Sequence, residues 1–214
     1  MAIVIAATAH SHWQALIPLL EPVAGSSADW ERGAHWYAQA AAGLPNDARV
    51  LILHCRPEQA VAEAMSQGLG PDEALQQWRD TTAAMLAFFR RNRRRATLIE
   101  VRSATQHPGK LAEHLTPYLE QPLEERESGL PAIDPPSLLL QAMAAQTVAQ
   151  APELSALMSE AEASTLPLDE ASWRPVPVDI AALASQLEAD RQAAQRQAEG
   201  QAQQLESARQ EIEV

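Results

Sequence analysis

Residues 50–53 read Val-Leu-Ile-Leu, an unbroken run of large apolar side chains inside a predicted strand over 49–54. A strand with one solvated face alternates apolar and polar residues, whereas an unbroken run is typical of a strand covered on both faces, as in parallel sheets. Two more short runs, at 3–6 and 96–101, alternate with helical stretches. We therefore predict an α/β fold with a small parallel sheet in a three-layer sandwich.

Proline-rich stretches divide the rest of the chain. Residues 120–136 combine proline with charge, and residues 165–178 contain three further prolines, so both segments are predicted to be exposed connections. The predicted parts, in chain order, are an α/β domain over 1–119, a linker over 120–136, a helical appendage over 137–164, an extended connection over 165–178 and a C-terminal helix over 179–214.

Periodic apolar stretches and their boundary residues predict the individual helices. Ser11 and Asp72 are the predicted N-caps of two of them, because hydroxyl and carboxylate side chains accept hydrogen bonds from the first turn. Residues 22–27 and 102–107 are predicted to be loops. The helices themselves are predicted over 11–20, 29–42, 57–67, 72–95, 108–119, 137–150 and 152–164.

The charge balance limits the partners. The 214 residues have a net charge of −12, which argues against general nucleic-acid binding, because phosphate polyanions are held by basic patches. The apolar start becomes polar by Thr8 and lacks a basic region, so it is too short for a signal peptide or membrane span. The single cysteine, Cys55, suits a reducing cytosol and is predicted to be a buried structural thiol. We expect a cytoplasmic protein.

The loop after the first strand, residues 8–13, stands where a nucleotide-binding α/β domain places its phosphate loop. It has neither the glycines that turn N–H groups inward nor a lysine for the outer phosphates. The Ser11 hydroxyl and a helix N-terminus would still suit an anion, and His10 or His12 would supply a base near neutral pH. A metal site lacks a third nearby ligand, and a hydrolase lacks its Gly-x-Ser-x-Gly elbow, so no metal is predicted.

Residues 50–62, VLILHCRPEQAVA, resemble the strand-to-helix turn of the P-loop sulfotransferase family. With the glycine–proline break at 68–71 and the strand at 96–101, the resemblance covers about residues 1–119. It implies a P-loop-like, nucleotide-binding domain in which Arg56 binds the 3′-phosphate of phosphoadenosine phosphosulfate, the cofactor if the protein is active. The family's serine falls at Ala64, so half of that phosphate clamp is missing. In the first loop only Ser11 matches the family, and His10 or His12 would have to take over catalysis.

The last segment predicts a long helix. It contains no proline from Asp179 onward, and its apolar residues recur at the heptad spacing of a coiled coil, with Arg191 and Gln201 as polar interruptions and Gly200 as a weak point. Self-association through residues 179–214 is therefore predicted, although an alanine-rich seam makes only a thin coiled coil. The apolar members of the seam are Ile180, Ala184, Leu187, Ala194, Ala198, Leu205, Ala208 and Ile212.

Two other clusters have a structural and a functional interpretation. Five arginines lie between residues 90 and 95; they complement the dipole at a helix C-terminus, or they form a local site for an anionic glycan, lipid head group or nucleotide. Trp30, Trp36 and Tyr37 suit core packing or stacking on a sugar ring or base. Core packing is the stronger prediction for these aromatic residues.

Two functions follow from these features. The first is a non-catalytic, sulfotransferase-like binding and interaction module of a larger protein, which binds a glycan or an anionic small molecule and oligomerises through its last helix. The second is a sulfotransferase that acts on a glycan or other small acceptor, with Ser11 and Arg56 binding the nucleotide and His10 and His12 at the transferred group.

Overall fold

The computed structural model describes residues 2–24, 30–39, 43–45, 47–120, 122–123, 130–168 and 180–212. Three parallel strands, β1 (Ile3–Ala7), β2 (Arg49–His54) and β3 (Ala96–Glu100), form a sheet in the order β1-β2-β3. Ile5 lies opposite Leu51 in the register of the first pair. The predicted parallel sheet is confirmed, and the apolar run of residues 50–53 forms its fully buried central strand.

Helices connect the strands and follow them. A 3₁₀ helix (Trp13–Leu16) leads into α1, and prolines occupy the first turns of α3, α4 and α6, where a missing N–H costs nothing. The α-helices are α1 (Ile17–Ala24), α2 (Ala34–Gln39), α3 (Pro57–Ser66), α4 (Pro71–Asn92), α5 (Val101–Gln106), α6 (Pro108–Leu119), α7 (Leu138–Ala149), α8 (Ser155–Ser164) and α9 (Ile180–Ile212), with a second 3₁₀ helix at Pro152–Leu154.

Helices cover both faces of the sheet. On one face, Ile5, Leu51 and Ile99 pack with leucines of α1 and α6 in a single buried cluster. On the other face, Val50 and Ile52 pack with side chains of α2, α4 and α8, including Tyr37, Met85, Phe88 and Ala161. Successive residues of each strand therefore enter opposite cores, and the fold is the predicted helix–sheet–helix sandwich.

The second half of the chain packs on the first. α7 packs against α3 and α4 through a small-residue cluster that contains Val61, Ala64, Ala144 and Val148. After α8, the Leu166 N–H donates to the Leu98 carbonyl at 2.9 Å, beside the outer edge of β3. The helices predicted as an appendage are thus attached both to other helices and to the sheet edge.

Several boundaries differ from the prediction. The helical turns after β1 begin at Trp13 instead of Ser11, and α1 continues through Pro22 to Ala24, where a loop was predicted. α4 begins at Pro71, so Asp72 lies in its first turn instead of capping it. Residues 101–106, mostly predicted as loop, form α5.

Other predicted segments lie partly outside the described residues. α2 covers Ala34–Gln39 of the helix predicted over 29–42, and residues 29 and 40–42 are not described. Of the two predicted connections, the described residues 122–123, 130–136 and 166–168 contain neither helix nor strand. The prediction that both are exposed is wrong at Leu123 and Leu168, because these side chains are buried in the apolar cluster on one face of the sheet.

Candidate functional site

The carboxyl ends of the three parallel strands meet at one edge of the sheet, the usual place for a ligand in an α/β fold. β1 leads there into residues 8–12, β2 into Cys55 and Arg56, and β3 ends at Glu100. The first two segments touch, because the Cys55 thiol donates to the His10 carbonyl at 3.5 Å. His54 lies opposite Glu100 in the register of β2 and β3. The structure therefore brings the predicted site residues to one edge.

The loop after β1 has an unusual backbone. His10 and His12 have φ values of 60° and 56°, in the left-handed region that residues with a Cβ atom rarely adopt. Between them, Ser11 is 1% exposed and its hydroxyl donates to the Thr8 carbonyl at 2.7 Å. The prediction that Ser11 caps the following helix is wrong, because His12 precedes the first helical residue and provides no side-chain cap.

The two histidine side chains have different surroundings. His12 Nε2 lies 3.3 Å from a carboxylate oxygen of Glu63 on α3, with both side chains partly exposed. His10 lines a small cleft with Trp78 and Thr81 of α4. His12 therefore contacts α3, whereas His10 borders a cleft lined mainly by α4.

Arg56 stands immediately before α3, and its carbonyl accepts the Ala60 N–H at 3.0 Å. Its side chain is partly exposed at the same edge as the β1 loop. Ala64, the position of the family's serine, is completely buried between α3 and α7. The residues present do not fit the phosphate clamp of a sulfotransferase, because this position neither carries a hydroxyl nor faces the edge.

The surrounding charge is negative. Burial raises the pKa of the Cys55 thiol, and the carboxylates of Glu100, Glu58 and Glu63 raise it further. Cys55 is 3% exposed, so the predicted structural thiol is confirmed as buried and it remains protonated near neutral pH. The three carboxylates also oppose a highly charged anion at this edge.

Two buried polar residues at the strand ends were missed by the sequence interpretation. His54 Nε2 lies 2.9 Å from the Thr165 hydroxyl, and that hydroxyl donates its one proton to the Ala161 carbonyl at 2.7 Å. This leaves the Thr165 oxygen as an acceptor for His54 Nε2 in the Nε2-protonated tautomer. Burial lowers the pKa of His54 to about 4, so the ring is neutral and holds the segment after α8 against the central strand.

Glu100, at the end of β3, also stabilises a neighbouring segment through buried hydrogen bonds. Its carboxylate accepts the Ser103 N–H at 2.7 Å, the Arg102 N–H at 3.1 Å and the Ser103 hydroxyl at 2.6 Å. This is an N-cap for α5, made by a side chain that is 1% exposed. The sequence signal that could have identified both residues is a polar side chain at the carboxyl end of a mainly apolar strand. His54 and Glu100 both occupy such a position.

The arginine cluster and the aromatic residues have structural roles. Arg90 pairs with Glu160 at 2.9 Å, and Arg95 donates to Asn92 at 3.0 Å and to the Pro45 carbonyl at 2.9 Å. The cluster precedes β3, so it lies at the opposite edge from the candidate site. Trp30 and Tyr37 are 4% and 0% exposed, which confirms that these two pack in the core.

A protein-family scan, a search of curated proteins and a search of solved structures gave no significant match. Within the described ranges, no three His, Cys, Asp or Glu side chains come together as potential metal ligands. The described helices also include none with the length and apolarity needed to cross a lipid bilayer.

Proposed function

We propose that this chain is a non-catalytic binding and interaction module with a sulfotransferase-like layout, and that it self-associates through residues 179–214. The observation that carries the proposal is the state of the loop after β1. The Ser11 hydroxyl is turned into the loop and engaged with the Thr8 carbonyl, and the Cys55 thiol is buried and protonated. Neither group is available as a nucleophile. The buried lone cysteine also agrees with a cytoplasmic setting.

The binding role rests on Arg56. Its planar guanidinium can grip a phosphate or sulfate with two parallel hydrogen bonds, and it lies at the carboxyl edge of the sheet. Because Glu58 lies in the first turn of α3 and Glu63 one turn later, the site suits a small anion better than a polyphosphate. Anionic small molecules, including a charged glycan unit, are therefore the proposed ligands.

Isothermal titration with phosphoadenosine phosphate, and with inorganic sulfate as a smaller probe, tests the binding role. We expect heat of binding with sulfate that Arg56→Ala abolishes and that Arg79→Ala retains, and weaker binding of the more highly charged phosphoadenosine phosphate. Arg79 is an exposed residue of α4 whose guanidinium pairs with the neighbouring Asp80, so it controls for the loss of one positive charge. Equal binding by the Arg56→Ala variant would refute the role of Arg56.

Sulfate transfer to a glycan or other small acceptor is the alternative function. It is favoured by one observation, the left-handed backbone of His10 and His12, since strained conformations cluster at active sites. An assay with phosphoadenosine phosphosulfate and a panel of glycan acceptors distinguishes the two functions. Transfer that is lost in His10→Ala and His12→Ala and retained in the exposed control His114→Ala would overturn the non-catalytic proposal.

The association role rests on α9. Its described seam residues Ala184, Leu187, Ala194 and Ala198 are all exposed, although apolar residues at heptad positions are ordinarily covered by a partner helix. Sedimentation of the full chain tests this role: Leu187→Glu should give monomers, whereas Ala189→Glu, on the outer side of the same helix turn, should sediment as the parent protein does. Monomers at every concentration of the parent would refute self-association.

A further inference from the structure

α9 presents two different faces. At its start Ala182, Leu183 and Gln186 are partly buried, and the helix contacts α7. The seam residues Ala184 and Leu187 lie roughly a third of a turn away and are exposed. Attachment to the protein's own fold therefore leaves uncovered the seam residues whose side chains the structure describes. Among the described residues, the exposed large apolar side chains are Leu187 at 43%, and Leu139 and Met143 of α7 at 41% each.

The seam has the same pattern in both directions. Read forward from residue 180, its heptad positions hold Ile, Ala, Leu, a polar residue and Ala; read backward from residue 212, they hold the same series. The two polar positions are Arg191 and Gln201, each in the fourth place from its own end. The seam in chain order is Ile180, Ala184, Leu187, Arg191, Ala194, Ala198, Gln201, Leu205, Ala208 and Ile212.

From this symmetry we infer that a second copy of the chain pairs with α9 in the antiparallel direction, with a two-fold axis near residue 196. The inference rests on the proposed self-association and adds its geometry. Antiparallel pairing places an a position opposite a d position, so Leu187 faces Leu205 of the partner subunit and Arg191 faces Gln201 of the partner subunit. Every large residue meets a large one and every small residue a small one, as a self-complementary interface requires.

The charges favour this direction over the parallel one. A parallel, in-register pair would place Arg191 directly against Arg191 of the partner subunit, two like charges inside a seam. The antiparallel pair puts an amide opposite each guanidinium instead. Ala194 and Ala198 stand beside the two-fold axis, where small side chains allow the two backbones to approach closely.

The available area is sufficient. The 33 residues of α9 form a rod about 50 Å long, and a contact strip about 10 Å wide buries roughly 500 Å² on each helix. The total of about 1,000 Å² reaches the lower limit for a specific interface. Antiparallel pairing also sends the two folded bodies to opposite ends of the rod, so they do not compete for space.

Gln201→Glu gives opposite results for the two directions. In the antiparallel pair each new carboxylate faces Arg191 of the partner subunit, so two symmetry-related ion pairs form and the dissociation constant should fall on the order of tenfold. In a parallel pair two carboxylates would face each other and the dissociation constant would rise, which overturns the inference. Gln203→Glu, which makes the same change at a position outside the heptad seam, should leave the dissociation constant within about twofold.

Cysteine cross-linking tests the register directly. Ala184→Cys and Ala208→Cys, mixed and oxidised, should form a disulfide-linked heterodimer, whereas neither variant alone should link to itself. Cys55 is buried and does not compete. Self-linking of either variant would show parallel pairing, and a sedimenting dimer without any link would show another register; both overturn the inference and leave self-association intact. A parent protein that stays monomeric would overturn self-association as well.

Discussion

The carboxyl edge of the sheet and the helix α9 differ in which side chains they bury. At the sheet edge, polar residues such as His54 and Glu100 are buried, and each has hydrogen-bond partners within the chain. On α9, apolar seam residues such as Leu187 are exposed. Buried and satisfied polar groups stabilise the fold itself, whereas exposed apolar groups at heptad spacing contribute only when a partner covers them. The difference separates the residues that hold this protein together from those that we propose to bind a second copy of the chain.

The strongest test of the sheet edge is Glu100→Ala. The substitution leaves the N–H groups of Arg102 and Ser103 and the Ser103 hydroxyl without their acceptor in a buried place, so the free energy of unfolding should fall by about 3 kcal/mol. Urea unfolding followed by tryptophan fluorescence measures it.

Two variants make the Glu100 result specific. Glu100→Gln keeps one acceptor oxygen and should cost about half as much. Glu113→Ala removes an exposed carboxylate from α6 and should change the free energy by no more than about 0.5 kcal/mol. Equal losses from Glu100→Ala and Glu113→Ala would contradict the capping role.

His54 predicts a loss of stability in mild acid. Burial lowers its folded-state pKa to about 4 from an ordinary value of 6.5. Between these two pH values the unfolded chain therefore binds a proton at His54, whereas the folded protein does not. The neutral His54 ring makes its full contribution to the free energy of unfolding above pH 6.5, and this contribution declines as the pH falls towards 4. Between pH 8 and pH 5 the free energy of unfolding should decrease by about 2 kcal/mol from this group alone.

The His54 effect is measured as the pH slope of urea unfolding. His54→Gln retains a donor for Thr165 but cannot titrate, so the slope between pH 6.5 and 5 should flatten. His114→Gln changes an exposed residue of α6 and should keep the parent slope. An unchanged slope in His54→Gln would assign the acid sensitivity to other groups.

Periodicity predicted the regular elements well, and local hydrogen bonds explain where it failed. The unbroken apolar run identified β2 with the right ends, since burial on both faces leaves a direct mark in the sequence. α5 was missed because residues 101–106 are mostly polar and show no helical stripe. The helix is organised by the Glu100 carboxylate, which precedes it and belongs to a strand.

The position of the candidate site was predictable, but its chemistry was not. The family resemblance implied that Ser11 and Arg56 bind one nucleotide, and the structure places both at the edge of the sheet where the parallel strands end. The direction of the Ser11 hydroxyl depends on the left-handed conformations of His10 and His12, for which the sequence gives no signal at residues that carry a Cβ atom. The burial of Ala64 similarly depends on α7, which is distant along the chain.

A pair of tyrosines provides a smaller test with opposite signs. The Tyr37 hydroxyl is buried without a hydrogen-bond partner among the described residues, and burial raises the pKa of its phenol. Tyr37→Phe keeps the ring contacts with Trp36 and Phe88 and should stabilise the fold by about 1 kcal/mol.

Tyr118→Phe is the matched change. The Tyr118 hydroxyl donates to the Arg95 carbonyl, so its removal should destabilise the fold by about 1 kcal/mol. Differential scanning calorimetry of both variants measures the shifts in melting temperature. If both variants shift in the same direction, hydrogen bonding of the hydroxyl does not account for either change.

The smallest expected effect is also the one that tests the comparison most directly. Leu187→Ser changes one of the largest exposed apolar side chains, and at concentrations where the parent protein is monomeric it should alter the free energy of unfolding by less than about 0.5 kcal/mol. Four of the five tryptophans, Trp13, Trp30, Trp36 and Trp78, pack in the sandwich, so most of the tryptophan fluorescence follows the folded body. The same substitution should nevertheless abolish association. A loss above about 1 kcal/mol in the monomer would mean that α9 belongs to the stabilising core and that its seam is covered within the chain, and the division between the two regions would then fail.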